Sequence, residues 1–146
     1  MLQPVENEGQ NAYVTSNSAA YREDLPADCP CAEADETSGQ SGWRLLPGPT
    51  ASAADFDSEF RRNPARFTGK PDATICTAKA VSLVHSLDEA KRIILLPKKE
   101  HLTHAGAVTL PAGNGKVHRS KPTHSSWWPL ASSNVASLVS DVVKLQ

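Results

Sequence analysis

The sequence predicts an α+β fold: a small single domain with a short mixed or antiparallel sheet packed by about three helices, preceded by an acidic flexible tail. Three observations predict it. A capping box, Ser86-Leu87-Asp88-Glu89, stands directly after a β-branched run. The turn-forming stretch Pro111-Ala112-Gly113-Asn114-Gly115 separates two short extended runs. Strand and helix signals mix without the regular βαβα alternation of a parallel α/β protein. A chain of 146 residues fits one domain plus a tail. We therefore divide it into an acidic segment, 1–40, and a globular domain, 41–146.

The elements follow in order. Gly42-Trp43-Arg44-Leu45-Leu46 reads as a strand closed by the turn Pro47-Gly48-Pro49. Residues 50–62 read as a helix, capped by Thr50 or Ser52, with Phe56 and Phe60 four apart on one face and Pro64 ending it. The β-branched segment 74–84 reads as a strand. The capping box then opens a helix over 87–96 that buries Leu87, Ala90 and Ile94 and stops at Pro97. Residues 101–110 and 116–119 read as the two strands of a β-hairpin around the five-residue turn. Apolar residues at 135, 138, 139, 142 and 145 have helical spacing, which predicts a last helix capped by Ser133 or Asn134.

Charge is distributed unevenly along the chain. Residues 1–40 carry eight acids against one base, Arg22, whereas residues 97–146 carry six bases against two acids. The near-neutral net charge of −1 therefore conceals an acidic start and a basic end. The first block is rich in Ser, Asn and Gln and has few aliphatic residues, so it reads as a solvated tail, with an electrostatic cover over the basic half as the alternative. The longest aliphatic run, Ile93-Ile94-Leu95-Leu96, is far short of the roughly 18 residues a membrane span requires. Neither a basic nor an apolar leader region opens the chain. Three cysteines, Cys29, Cys31 and Cys76, suggest no even disulfide framework. These features predict a soluble cytoplasmic protein with reduced thiols.

Candidate chemistry concentrates in the C-terminal half, which holds all five histidines. His101 and His104 share a face only on a helix, and Cys29 and Cys31 are one residue apart where zinc sites prefer two to four, so we expect no metal site. Residues 116–129 are the most unusual stretch. Lys116, Arg119 and Lys121 supply fixed cations, His118 and His124 titratable rings, and Trp127 and Trp128 adjacent indoles. Cations neutralise anionic groups and indole faces stack on ligands or anchor partners. Adjacent tryptophans on an extended chain point to opposite faces, so either both close the core or one faces a partner. Cys76, in an apolar run, reads as an inert core thiol. Ser125 and Ser126 beside His124 are sequence neighbours, a poor geometry for a nucleophile–base pair. No P-loop, Gly-x-Gly-x-x-Gly, His-Glu-x-x-His or Gly-x-Ser-x-Gly motif occurs.

The element order resembles that of bacterial ADP-ribosyltransferase-like domains, in which an early strand carries an Arg or His, a middle strand a Ser or Tyr feature, and a late element an acid. Arg44 matches the first and Ser82 the second, at scattered positions over residues 43–119. The late glutamate has no counterpart, because Glu100, the last one, precedes the expected hairpin. The resemblance implies NAD-using transferase chemistry.

Two functions follow as expectations. The first, favoured because no catalytic set stands out, is a small binding or accessory module. It would engage a protein or an anionic ligand through Lys116, His118, Arg119, Lys121, His124, Trp127 and Trp128. Within it a protein partner is favoured over nucleic acid, since a surplus of four cations over fifty residues is modest. The alternative is an enzyme acting on a nucleotide or phosphorylated small molecule, with Arg44, His118 and His124 converging on one pocket beside Arg119 and Trp128. Neither reading assigns a cofactor.

Overall fold

The computed structural model describes residues 20–146. Its frame is one seven-stranded sheet in which every neighbouring pair is antiparallel. The strands are β1 (Asp35–Glu36), β2 (Gln40–Leu46), β3 (Val81–Val84), β4 (His104–Leu110), β5 (Lys116–Lys121), β6 (His124–Trp128) and β7 (Val139–Lys144), in the order β1-β5-β6-β3-β2-β4-β7. Three α-helices accompany them: α1 (Glu59–Arg62), α2 (Asp72–Ala78) and α3 (Leu87–Ile93). None exceeds seven residues, so the sheet dominates and the helices are smaller than expected.

The cap and the helix start form where the sequence predicts, and α3 ends at Ile93, three residues before the expected end. Ser86 is the N-cap of α3, its hydroxyl accepting from the Glu89 amide at 3.0 Å, and Ala90 and Ile94 are buried beneath the helix. Four other expectations are corrected. Residues 74–84 do not form one strand. Pro71, in extended conformation, opens α2, and only residues 81–84 enter the sheet. The expected helix over 50–62 divides into a 3-10 turn at Ala53–Phe56 and the single turn α1.

The hairpin expected at 111–115 is absent. β4 pairs with β2 and β7, while β5 pairs with β6 and β1, so this turn carries the chain from one half of the sheet to the other. Gly115 makes the crossing possible. Its φ is +97°, and a Cβ there would overlap the Trp128 carbonyl. The tight hairpin is instead β5–β6, where Lys121 pairs with His124 across Pro122-Thr123. The last predicted helix is a 3-10 turn, Val135–Leu138, followed by β7. Val139, Val142 and Val143 suit a pleated surface, and the free edge of β4 supplies the backbone partners.

The acidic segment departs from a solvated tail over residues 20–40. Residues 1–19 lie outside the described residues, but residues 20–40 pack onto the sheet. Tyr21 bridges to Leu130, and Leu25, Cys29, Cys31 and Ala34 pack on Trp128, Cys76 and Ala80. The Arg22 guanidinium donates to the Phe56 carbonyl at 2.7 Å and meets the Asp57 carboxylate at 3.3 Å. Strand β1 lies on β5, with Glu36 3.9 Å from Lys116, and Thr37 is buried. Cys29 is disulfide-bonded to Cys76, leaving Cys31 as the free thiol, so the reduced set of three thiols is not what forms.

Two main clusters cover the sheet. Phe56, Val81, Leu83, Val108, Leu110, Val117, Trp127 and Val135 close one side. Val84, Ala90, Ile94, Leu102, Ala105 and Leu145 lie under α3, with Trp43 and Leu45 packed against them. Among the described residues no helix is long and apolar enough to cross a membrane.

Candidate functional site

A cavity of about 840 Å³ opens where β2 and β3 meet. These strands pair at one position only, Trp43 with Val84. Beside that point the Arg44 side chain stands between them. Its guanidinium donates to the carbonyls of Asp55 (3.0 Å), Ser82 (3.0 Å) and Asp57 (3.2 Å), and lies 5.8 Å from the centre of the Phe56 ring. Arg44 thus ties β2 to β3 and to the segment leading into α1. Burial, and next the nearby Arg62, push its pKa down to about 10. It therefore remains a cation at neutral pH. Among the described residues no carboxylate lies within ion-pair distance of it.

The walls continue this theme. Trp43, Leu45, Ser82, Val84 and His124 come from the sheet, Asp57, Glu59, Arg62, Arg66 and Phe67 from the segment around α1, and Lys99 and Leu102 from the chain beyond α3. Four fixed cations, Arg44, Arg62, Arg66 and Lys99, face two carboxylates. Asp57 is already engaged by Arg22. Glu59 alone stands among three cations, at 3.7 Å from Arg62, 3.4 Å from Arg66 and 3.8 Å from Lys99. Each such half-exposed pair contributes little to stability. Their collective effect is a cleft with surplus positive charge, apolar walls and an indole, within the volume range of small-molecule sites. These cations could hold phosphates, with Trp43 against a planar ring.

The residues expected at the site distribute differently. Arg44 and His124 converge on the cleft. His118 does not: it lines a separate cavity of about 390 Å³ with Cys31, Cys76, Ser126 and Trp128. Arg119 belongs to the opposite side of the sheet, in a cavity of about 270 Å³ with His85 and Ser125, and its guanidinium donates to the Pro122 carbonyl. Lys121 is exposed, and Lys116 pairs with Glu36. The scatter follows from strand alternation, since residues 116–128 form two paired strands and consecutive side chains leave opposite faces.

Both indoles belong to the core, one of the two placements the sequence allowed, so neither is exposed to anchor a partner. Trp127 is 0 % and Trp128 3 % exposed. Strand β6 is an interior strand, between β5 and β3, so alternation drives one indole into each covered side. Each N–H is satisfied within the chain, Trp127 by the Asn114 carbonyl at 2.8 Å and Trp128 by the Cys76 carbonyl at 2.9 Å. Burial first, and then Lys121, hold the His124 imidazole below its ordinary pKa, with Glu89 opposing. The ring is therefore neutral at pH 7. Among the described residues no group of three His, Cys, Asp or Glu is placed to hold a metal.

Glu59, Arg62, Arg66 and Lys99 were not singled out from sequence. A density of charge in Asp57-Ser58-Glu59-Phe60-Arg61-Arg62 is visible there, but only the fold places Lys99 beside it. Comparison with known protein families, with curated proteins and with solved structures finds no match for this chain.

Proposed function

We propose that this protein binds an anionic small molecule bearing a planar ring, of the nucleotide class, in the cleft between β2 and β3. One observation carries the reading: four fixed cations and one indole surround a cavity of about 840 Å³ that holds two carboxylates. Arg62, Arg66 and Lys99 would take the phosphates, leaving Glu59 to be displaced from its cations. Arg44 ties the two strands together and adds a buried positive charge. This replaces the basic loop as the anionic-ligand surface, because the loop's indoles belong to the core.

A second reading, an enzyme acting on that ligand, is favoured by Arg44 and Ser82 meeting at the cleft. The Arg44 guanidinium donates to the Ser82 carbonyl at 3.0 Å, and His124 lines the same cavity. A neutral imidazole there can accept a proton. The ADP-ribosyltransferase-like resemblance rests on these two residues and still lacks its glutamate. As for compartment, the bonded Cys29–Cys76 pair favours an oxidising environment over the cytoplasm.

Calorimetric titration with ATP, NAD and ADP-ribose tests the proposal. Binding should weaken at least tenfold in the double variant Arg62→Ala, Arg66→Ala, whose side chains are half-exposed or more. Absence of binding to all three ligands at millimolar concentration, or undiminished binding by a folded double variant, refutes it. Release of nicotinamide from NAD, lost in His124→Gln, would select the enzyme reading.

A further inference from the structure

On the opposite side of the sheet from the cleft, the fold makes a contact between residues 40 positions apart: His85 Nε2 lies 2.7 Å from Ser125 Oγ. His85 follows β3 and Ser125 lies in β6, where Leu83 pairs with Ser125. Alternation along both strands directs Leu83, His85, Ser125 and Trp127 to one face. The pair opens on the cavity of about 270 Å³ that Arg119, Gln40, Ser41 and Asp35 also line.

We propose that Ser125 and His85 form a nucleophile–base pair that cleaves small esters carrying a carboxylate, with Arg119 binding that carboxylate. The distance is that of a nucleophile and its base in hydrogen-bond contact. With Nε2 as acceptor, the hydroxyl donates to it and Nδ1 carries the ring proton. Burial first, then Arg119 and His124, lower the His85 pKa, so the imidazole is neutral at pH 7 and free to accept. Ser125 is nearly enclosed and His85 is half-buried, which confines access to the cavity side. The cavity admits only a small acyl group, and Arg119 supplies its fixed cation.

The chemistry balances with water as the only co-reactant. Ser125 Oγ bonds to the acyl carbon, its proton passes to His85 Nε2, and the bond to the leaving alcohol breaks as that proton is delivered to the departing oxygen. Water then attacks the acyl-serine and gives a proton to His85. The acyl–Oγ bond breaks as His85 returns the proton to Ser125, and the carboxylic acid leaves and releases its remaining proton to solvent.

Intact and peptide mass spectrometry after exposure to p-nitrophenyl acetate and to a small alkyl fluorophosphonate gives the test. One adduct, on Ser125, is expected from each reagent. His85→Gln should slow acylation by roughly 100-fold, the lower end of general-base contributions. Arg119→Ala should weaken half-saturation for a hemisuccinate ester at least tenfold more than for the acetate ester, and an equal effect on both would remove its role in binding the carboxylate. No adduct on folded wild-type protein overturns the proposal, without recourse to any variant. Adducts that persist in Ser125→Ala, or a rate indifferent to His85→Gln, overturn it equally.

Discussion

Trp128→Ala separates a core indole from a binding one. Trp128 is 3 % exposed, packs among Cys76, Ala80 and the residues 21–34 that fold over it, and donates to the Cys76 carbonyl. A tryptophan buries about 150–250 Å². At about 25 cal/mol per Å² that amounts to roughly 4–6 kcal/mol, and mutational series for Phe or Trp to Ala give about 3–5 kcal/mol. The orphaned Cys76 carbonyl adds about 1 kcal/mol. We therefore expect a loss of about 4–5 kcal/mol, a large part of the roughly 5–15 kcal/mol typical of a domain. Trp128→Phe keeps most of the packing and should lose about 1–2 kcal/mol, chiefly through the same carbonyl. Urea unfolding followed by far-UV circular dichroism measures both. Nucleotide titration, normalised to folded protein, should be unchanged in Trp128→Phe. A loss below about 1 kcal/mol in Trp128→Ala, or an affinity that falls further than the folded fraction, would refute the core assignment.

The thiols and the histidines give two further predictions. Alkylation of the unreduced protein in denaturant should modify one cysteine, Cys31, and after reduction three; three modified thiols without reduction would remove the Cys29–Cys76 bond. Cys29→Ser should cost about 4 kcal/mol by the loop-closure relation for cysteines 47 residues apart, read from unfolding with and without reductant. His85 and His124 both titrate below their ordinary value of 6.5 in the folded state. The unfolded chain then binds more protons below that value, so stability falls as pH drops through 6.5. Melting temperature from pH 7.5 to 5 should decline, and less steeply in His124→Gln; a rise on acidification would contradict the burial of these rings.

Where local chemistry was sufficient, the sequence was read correctly. The Ser86 cap, the helix it opens, the strand at Trp43 and the turn at 113–115 each depend on a few adjacent residues. Valine-rich segments were harder. Val135 to Leu145 has helical spacing and β-branched composition together, and the edge of β4 decided for the strand. The segment 74–78 has strand composition, yet it follows Pro71 and is drawn away from the sheet into α2. Of the candidate site, Arg44 was legible as a cation on an expected strand and His124 as a titratable ring in the stretch 116–129. Glu59, Arg66 and Lys99 were not, because their meeting depends on elements that adjoin only in three dimensions.

The amino-acid sequence by itself determined an α+β domain with a mixed or antiparallel sheet, its charge asymmetry and the opposed directions of Trp127 and Trp128, since these follow from neighbours in the chain. Tertiary structure alone decided that both sides of β6 are covered, so that both indoles are core. It also decided that Cys29 meets Cys76, that Arg44 ties β2 to β3 over a cation-rich cleft, and that His85 meets Ser125. Strand order is the physical reason. Which strands become neighbours depends on burying apolar faces across the whole sheet, and no local segment carries that information.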